Sequence, residues 1–147
     1  MNKVLSNYGK GYIVFASRPG NGKTSTILEN IRKDLISNKK VLFFSLENSK
    51  ESILKKGIWF NTQNLVILDN PIKDIDIIKE NINKYNPDTV YIDYYDLLPN
   101  NDNINEFFHQ LSVDYNIPLI VAHNLSMEND NYNLSDITID KFIEING

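Results

Sequence analysis

The chain of 147 residues contains no cysteine, and this absence excludes two kinds of stabilising site at once. Without thiols there can be no disulfide framework and no thiolate-ligated metal site. Histidine is also scarce: the chain has only His109 and His123, which lack the helical or hairpin spacing that would pair them as metal ligands. We therefore expect no structural zinc centre.

Long apolar runs are missing too. Runs such as residues 12–16 and 118–122 are far shorter than the about 18 residues that a membrane-spanning helix needs. The segment after Lys3 is too polar for the apolar core of a signal peptide, since it continues Ser-Asn-Tyr-Gly-Lys from Ser6. These features predict a cytoplasmic protein with no membrane partner.

Cations are absent from a long stretch of the chain. Residues 1–84 contain 14 Lys and Arg against 8 Asp and Glu, whereas residues 85–147 contain Lys141 alone against 11 acidic residues. Between residues 85 and 140 there is no Lys or Arg. Because proteins bind single-stranded nucleic acid with cations that follow its phosphates, this half is poorly suited to that ligand. We expect any binding of single-stranded DNA to be weak.

What is present is an ordinary globular composition. The sequence is 41% hydrophobic and 23% charged, which is typical of a soluble folded protein. Its length suits one domain whose core buries roughly two-thirds of the unfolded surface. We expect a single domain over residues 1–147, in which residues 126–147 form a loosely ordered tail.

Five short apolar runs predict the strands of a parallel sheet. They cover residues 12–16, 41–45, 65–68, 89–93 and 119–122, and they are apolar, β-branched or aromatic on consecutive positions. Runs of this kind are typical of strands that are buried on both faces. The sequence therefore predicts a mostly parallel central sheet of about five strands.

The segments between these runs show helical periodicity. Apolar residues recur every three or four positions, which predicts helices with one buried stripe. The stripes are Ile27, Ile31 and Leu35; Ile75, Ile78, Ile82 and Tyr85; and Phe107, Phe108, Leu111 and Tyr115. A weaker helix is predicted over residues 49–58 with Ser49 as its N-cap, and Asn86-Pro87 is expected to end the helix before the fourth strand. The alternation predicts a three-layer α/β domain with right-handed crossovers.

The segment Gly20-Asn21-Gly22-Lys23-Thr24 has the pattern of a phosphate-binding loop, or Walker A motif, between a strand and a helix. Glycines let backbone N–H groups face a phosphate, the helix N-terminus adds its positive dipole end, and the lysine neutralises the phosphate oxygens. The threonine hydroxyl can ligate Mg²⁺. Ser17 replaces the first glycine of the pattern, but the donors come from residues 20–24. The alternative is a glycine-rich surface turn. The predicted nucleotide-binding residues are Ser17, Arg18, Pro19, Gly20, Asn21, Gly22, Lys23, Thr24 and Ser25.

Polar residues follow three other predicted strands, at the edge where open α/β sheets bind ligands. Asp93 is the candidate for the magnesium shell beside Thr24, or else caps a turn. Glu47 is placed to polarise a water for attack on a γ-phosphate, although a lone glutamate after a strand is more often simply solvated. His123 and Asn124 are candidates to sense that phosphate, or else merely end the last strand.

These segments resemble, in the same order, the motifs of the C-terminal ATPase domain of DnaB-type replicative helicases. The resemblance covers nearly the whole chain: residues 16–24, 41–47, 90–94 and 117–125, with Leu134-Ser135-Asp136 after them. It implies a RecA-like P-loop NTPase fold, ATP and Mg²⁺ as cofactors, and ATP hydrolysis in DNA replication or recombination. It also implies that Glu47 is the catalytic base and that Asp93 serves Mg²⁺.

The chain departs from that family in ways that bear on function. His123-Asn124 stand where the family usually has a glutamine sensor, which leaves the sensor assignment open. We see no counterpart of the family's N-terminal helical domain or of its final strands, whose basic residues complete a neighbouring subunit's site. Because an arginine finger accelerates hydrolysis about 10³- to 10⁵-fold where it acts, we expect weak or partner-dependent ATPase activity and no autonomous helicase activity. The expected partners are replicative helicase subunits or further copies of the chain.

Two other functions stay open. A non-catalytic look-alike would dock into a helicase ring as a loader, inhibitor or modulator, and its nucleotide would be structural. A small-molecule kinase is disfavoured because such enzymes use an arginine-rich lid, and residues 85–140 contain no arginine.

Overall fold

The computed structural model describes residues 10–18, 22–99, 103–124 and 140–144, and in them strands and helices alternate as predicted. The strands are β1 (Gly11–Ser17), β2 (Val41–Ser45), β3 (Leu65–Leu68), β4 (Thr89–Asp93), β5 (Pro118–Asn124) and β6 (Lys141–Glu144). The helices are α1 (Lys23–Ile36), α2 (Lys50–Leu54), α3 (Asp76–Tyr85) and α4 (Ile104–Tyr115), with 3-10 turns at Thr62–Asn64 and Tyr95–Leu97. Within these ranges, no helix has the length and apolar character to cross a bilayer.

The described strands form one six-stranded sheet in the order β3-β2-β4-β5-β1-β6. Each of its strand pairs is parallel. The predicted α/β class and parallel sheet are thereby confirmed, with one strand more than the sequence indicated. Because β5 lies between β1 and β4, the ends of these three strands lie side by side at one edge of the sheet.

The sheet separates two hydrophobic cores. Successive residues of a strand point to opposite faces, so each strand supplies both cores. Val14 and Leu42 pack with the buried side of α3 and α4, whereas Ile13 and Phe43 pack with α1 and α2. This arrangement explains why the strands are apolar on consecutive positions, and it gives the three layers that the sequence predicted.

The helices agree with their predicted stripes, and one of them is shorter than expected. As predicted, α3 ends at Tyr85 before Asn86-Pro87, and Asn86 has a left-handed φ of 48°. Helix α2 begins after Ser49, whose side chain accepts a hydrogen bond from Ser52 N at 3.1 Å. It ends at Leu54 instead of residue 58, since Gly57 follows with a φ of +104° that is incompatible with a helix.

The sixth strand lies within the segment that the sequence predicted to be a tail. It pairs with β1, and the residue before it makes the anchoring contacts: Asp140 N donates to Tyr12 O at 2.9 Å, and Asp140 Oδ2 accepts from Tyr12 N at 2.8 Å. Gly11 makes this approach possible, because a Cβ there would lie 2.6 Å from Asp140 Oδ2. Residues 125–139 and 145–147, including the segment from Leu134 to Asp136 in the resemblance, lie outside the described residues.

Candidate functional site

A cleft of about 360 Å³ lies at the carboxyl edge of the sheet, beside the ends of β1 and β5 and the first turn of α1. It brings together residues that the sequence predicted from four separate segments. The described residues that line it are Ser17, Arg18, Gly22, Lys23, Thr24, Ser25, Glu47 and Asn124. The predicted loop residues Pro19, Gly20 and Asn21 lie outside the described residues.

The N-terminus of α1 provides the anion-binding character of this cleft. Gly22 precedes the helix with a left-handed φ of 85°, and no side chain caps the helix. The carbonyl oxygen of Gly22 accepts from Thr26 N at 2.9 Å, so the helix is formed from its first turn. The first N–H groups of a helix have no partner within it, and they carry the positive end of its dipole. An anionic group such as a phosphate would satisfy both.

Lys23 is the centre of the polar contacts. Its Nζ donates to Asp93 Oδ1 at 2.7 Å and to Glu47 Oε2 at 3.2 Å. The Lys23 side chain is 9% exposed and that of Asp93 is fully buried, whereas that of Glu47 is 47% exposed. Ion pairs are stronger where water is excluded, so the contact with Asp93 holds the ammonium group and Glu47 is its outer, exchangeable partner.

Thr24 and Asp93 offer oxygen atoms that suit a magnesium ion. Thr24 Oγ1 donates to Asp93 Oδ2 at 2.9 Å, which places a hydroxyl and a carboxylate oxygen side by side. Mg²⁺ prefers such oxygen ligands in an octahedron with bonds of about 2.0 to 2.1 Å, in which adjacent ligands lie about 3 Å apart. The observed separation of the two oxygens fits this geometry. Thr24 and Asp93 are therefore the residues that would hold the metal.

Backbone contacts fix the turn that carries Glu47. Leu46 N donates to Asp93 O at 2.9 Å, and Ser45 Oγ donates to Asn48 O at 2.6 Å. The first contact ties the turn after β2 to the end of β4, beside the buried carboxylate of Asp93. The Glu47 side chain, in contrast, stays half exposed at the cleft. This position suits a carboxylate that takes a proton from a water in the cleft.

His123 and Asn124, which the sequence left as joint candidates, occupy different positions. Asn124 lines the cleft and pairs with Ser17 in the register of β5 and β1. His123 is buried, and burial together with the charge of Lys23 lowers its pKa to about 3. It is therefore neutral near pH 7. Asn124 is the better placed of the two to touch a ligand, with His123 behind it.

Two residues that the sequence analysis gave no role complete the surroundings. The ring of Tyr94 has its centroid 3.9 Å from Lys23 Nζ. The ring of Tyr95 stacks on that of His123, with centroids 4.1 Å apart and planes at 17°. The only signal in the sequence was a pair of aromatic residues directly after Asp93, the predicted metal ligand.

Comparison with known proteins gives a fold but no family. No family model and no curated protein matches the chain. Among solved structures, the chain is similar to the ATPase domain of a DnaB-like helicase, with a TM-score of 0.68 and 19% sequence identity. The match covers 82% of this chain and 60% of that one, so the chain spans less than two-thirds of its neighbour's length. The likeness confirms the RecA-like fold that the resemblance implied.

Proposed function

We propose that this chain is a minimal DnaB-helicase-like ATPase domain, which binds Mg·ATP in the cleft and hydrolyses it weakly or with the help of a partner. The observation that carries the proposal is the connected set of contacts that joins Lys23 and Thr24 to Asp93, with Glu47 beside them. These residues come from three distant segments. A role in DNA replication or recombination in the cytoplasm follows from the resemblance of the motifs and is part of the proposal.

Binding of the triphosphate uses the start of α1 and the two residues next to Asp93. The backbone N–H groups of the first turn and the ammonium of Lys23 take the phosphate oxygens. Thr24 and Asp93 hold Mg²⁺, which neutralises phosphate charge and orients the γ-phosphate when it is bound. Arg18 and Ser25, which also line the cleft, lie where they can contact the nucleotide.

Hydrolysis needs a base and a group that recognises the γ-phosphate. Glu47 takes the proton of the attacking water as the water oxygen bonds to phosphorus, and the bridging oxygen leaves with ADP. Lys23 exchanges Glu47 for a phosphate oxygen when the nucleotide enters, so the carboxylate becomes free for the water. Asn124 donates its amide to the γ-phosphate. The neutral imidazole of His123 supports it without adding charge.

The charge distribution favours dependence on a partner. Residues 85–140 contain no Lys or Arg, so a finger cation for the transition state must come from elsewhere. A second copy of the chain or a replicative helicase subunit is the proposed source. The same observation favours the second candidate, a non-catalytic look-alike that docks into a helicase ring. Co-purification with a replicative helicase, without turnover by either chain's cleft, would support that candidate.

Turnover by a Glu47→Gln variant tests the catalytic part of the proposal. The amide cannot take a proton, so we expect turnover to fall by about 10²- to 10⁴-fold while ATP still binds. Glu51→Gln, an exposed glutamate in α2, is the matched control and should behave like the wild type. Phosphate release from purified protein, with and without single-stranded DNA, is the measurement. Equal turnover by the wild type and Lys23→Ala would reject the enzyme and leave the look-alike.

A further inference from the structure

We propose that Tyr94 is a positioning residue for nucleotide binding: the face of its ring holds the Lys23 ammonium where it meets the phosphates. This inference rests on the proposed function, since it concerns the same cleft. The contact is direct, because Lys23 Nζ lies 3.9 Å from the centroid of the Tyr94 ring. Neither the sequence motifs nor the comparison gives Tyr94 this role.

The ammonium group has three directions to satisfy, and the structure fills each of them. A lysine ammonium carries three N–H donors. Asp93 Oδ1 and Glu47 Oε2 take two of these directions at 2.7 and 3.2 Å, and the aromatic face of Tyr94 occupies a third side. A ring face attracts a cation because its π electrons carry partial negative charge. Lys23 is thus held at one point although its side chain has four flexible bonds.

The three contacts differ in how readily a phosphate can replace them. Asp93 is buried at the end of β4, and Tyr94 follows it directly and packs against the core on the α1 side of the sheet. Glu47 is half exposed on a turn. An entering phosphate therefore displaces Glu47 first, while Asp93 and the ring keep the ammonium in place.

The chemistry of the ring suits this task better than a further carboxylate would. A third acid beside Lys23 would cancel its charge and repel the phosphates, because like charges in a partly buried site interact strongly. The aromatic face carries no net charge, so it holds the cation and leaves its charge for the ligand. Tyr94 thereby reduces the freedom that Lys23 would otherwise lose when the nucleotide binds.

Substitutions at Tyr94 separate the ring face from the hydroxyl and from simple packing. Tyr94→Phe keeps the face, whereas Tyr94→Leu and Tyr94→Met keep apolar volume without it. Tyr115→Leu on α4, remote from the cleft, controls for the loss of a tyrosine. Fluorescent ATP binds to each variant in a titration, inorganic triphosphate serves as competitor, and thermal unfolding checks the fold.

We expect Tyr94→Leu and Tyr94→Met to weaken ATP and triphosphate binding by about 2- to 30-fold, the range of a cation–π contact, and Tyr94→Phe to stay within about twofold of the wild type. A purely structural role would lower the unfolding temperature without this pattern. The proposal is wrong if folded Tyr94→Leu or Tyr94→Met binds ATP like the wild type, or if Tyr94→Phe is as weak as they are. In either case, binding that Lys23→Ala abolishes would leave the proposed function standing. No ATP binding by the wild type would contradict both proposals.

Discussion

At the scale of single residues, the same groups serve stability and the site. Asp93 is fully buried, and a buried carboxylate is costly unless it is paired and hydrogen-bonded. Lys23 and Thr24 provide that pairing. Removing one partner of a buried ion pair typically costs about 3 to 5 kcal/mol. Any variant of Lys23 must therefore be compared with the wild type only under conditions where both are shown to be folded.

His123 makes the stability of the protein depend on pH in a defined direction. Its folded pKa of about 3 lies well below the usual value of 6.5, because burial and Lys23 oppose the charged form. Between these two pH values the unfolded chain binds a proton that the folded chain refuses. The stabilisation is therefore complete above about pH 6.5 and is lost as the pH falls toward 3.

Replacing His123 by glutamine, a neutral polar residue at every pH, should remove this dependence. Relative to His123→Gln, the wild type should lose up to about 1.4 kcal/mol per pH unit below pH 6.5, or about 2 kcal/mol at pH 5. Urea unfolding at pH 5 and pH 8 measures the difference, and His109→Gln controls for the loss of a histidine elsewhere. Parallel pH profiles for the wild type and His123→Gln would show that His123 is not held neutral.

At the scale of the elements, the inner strands were predictable and the outer one was not. Strands β2, β3 and β4 have the predicted bounds, because each is buried among apolar neighbours and its pattern is local. The four residues of β6 begin and end with a charge, Lys141 and Glu144, and give no such pattern. The position of β6 depends on contacts between Asp140 and Tyr12 that span 128 residues of sequence. No local signal encodes a contact of that kind.

The anchor of β6 can be tested by removing its acceptor. Asp140→Ala leaves Tyr12 N, on a buried part of β1, without the hydrogen bond that it donates at 2.8 Å. An unsatisfied buried donor costs about 1 to 3 kcal/mol, so we expect a loss of unfolding free energy of that size. Asp140→Asn keeps an acceptor oxygen and should recover most of it. Urea unfolding is the measurement, and equal stability of Asp140→Ala and the wild type would mean that this contact does not hold the strand.

The site was predictable in its parts but not in its connections. The Gly-Lys-Thr pattern and the polar residues after each strand are local, so Lys23, Thr24, Glu47 and Asp93 could be named from the sequence. Their mutual contacts depend on the order of the strands, which places β2 and β5 on either side of β4. For the same reason, the sequence could not separate Asn124 from His123 or give a role to the tyrosines after Asp93.

At the scale of the whole molecule, the strand order explains how one edge of the sheet becomes a site. Because β5 separates β1 from β4, the turn that carries Lys23 and the end of β4 face each other across the end of β5. The gap between them forms the cleft, with Asn124 at its side. The apolar layers on both faces hold these strand ends in place.

The charge asymmetry of the sequence also acquires a place in the molecule. The cations of the cleft among its described lining residues, Arg18 and Lys23, come from the first half of the chain. Helix α4, from the second half, contains Glu106 and Asp114 and no Lys or Arg. The chain thus retains cations for binding phosphate but offers none from this helix to a neighbour's site. This division is the physical basis for binding without strong autonomous turnover.

The most direct test of the account is a titration of labelled ATP, with Mg²⁺, against the wild type and Lys23→Ala. Lys33→Ala, which removes an exposed lysine from the same helix, is the matched control, and thermal unfolding identifies conditions in which all three proteins are folded. We expect saturable binding by the wild type and Lys33→Ala, and a loss of at least about tenfold in affinity for Lys23→Ala, since a charged hydrogen bond contributes about 1.5 to 3 kcal/mol. Equal affinity of folded Lys23→Ala and the wild type, or no binding by any of them, would contradict a nucleotide site in this cleft.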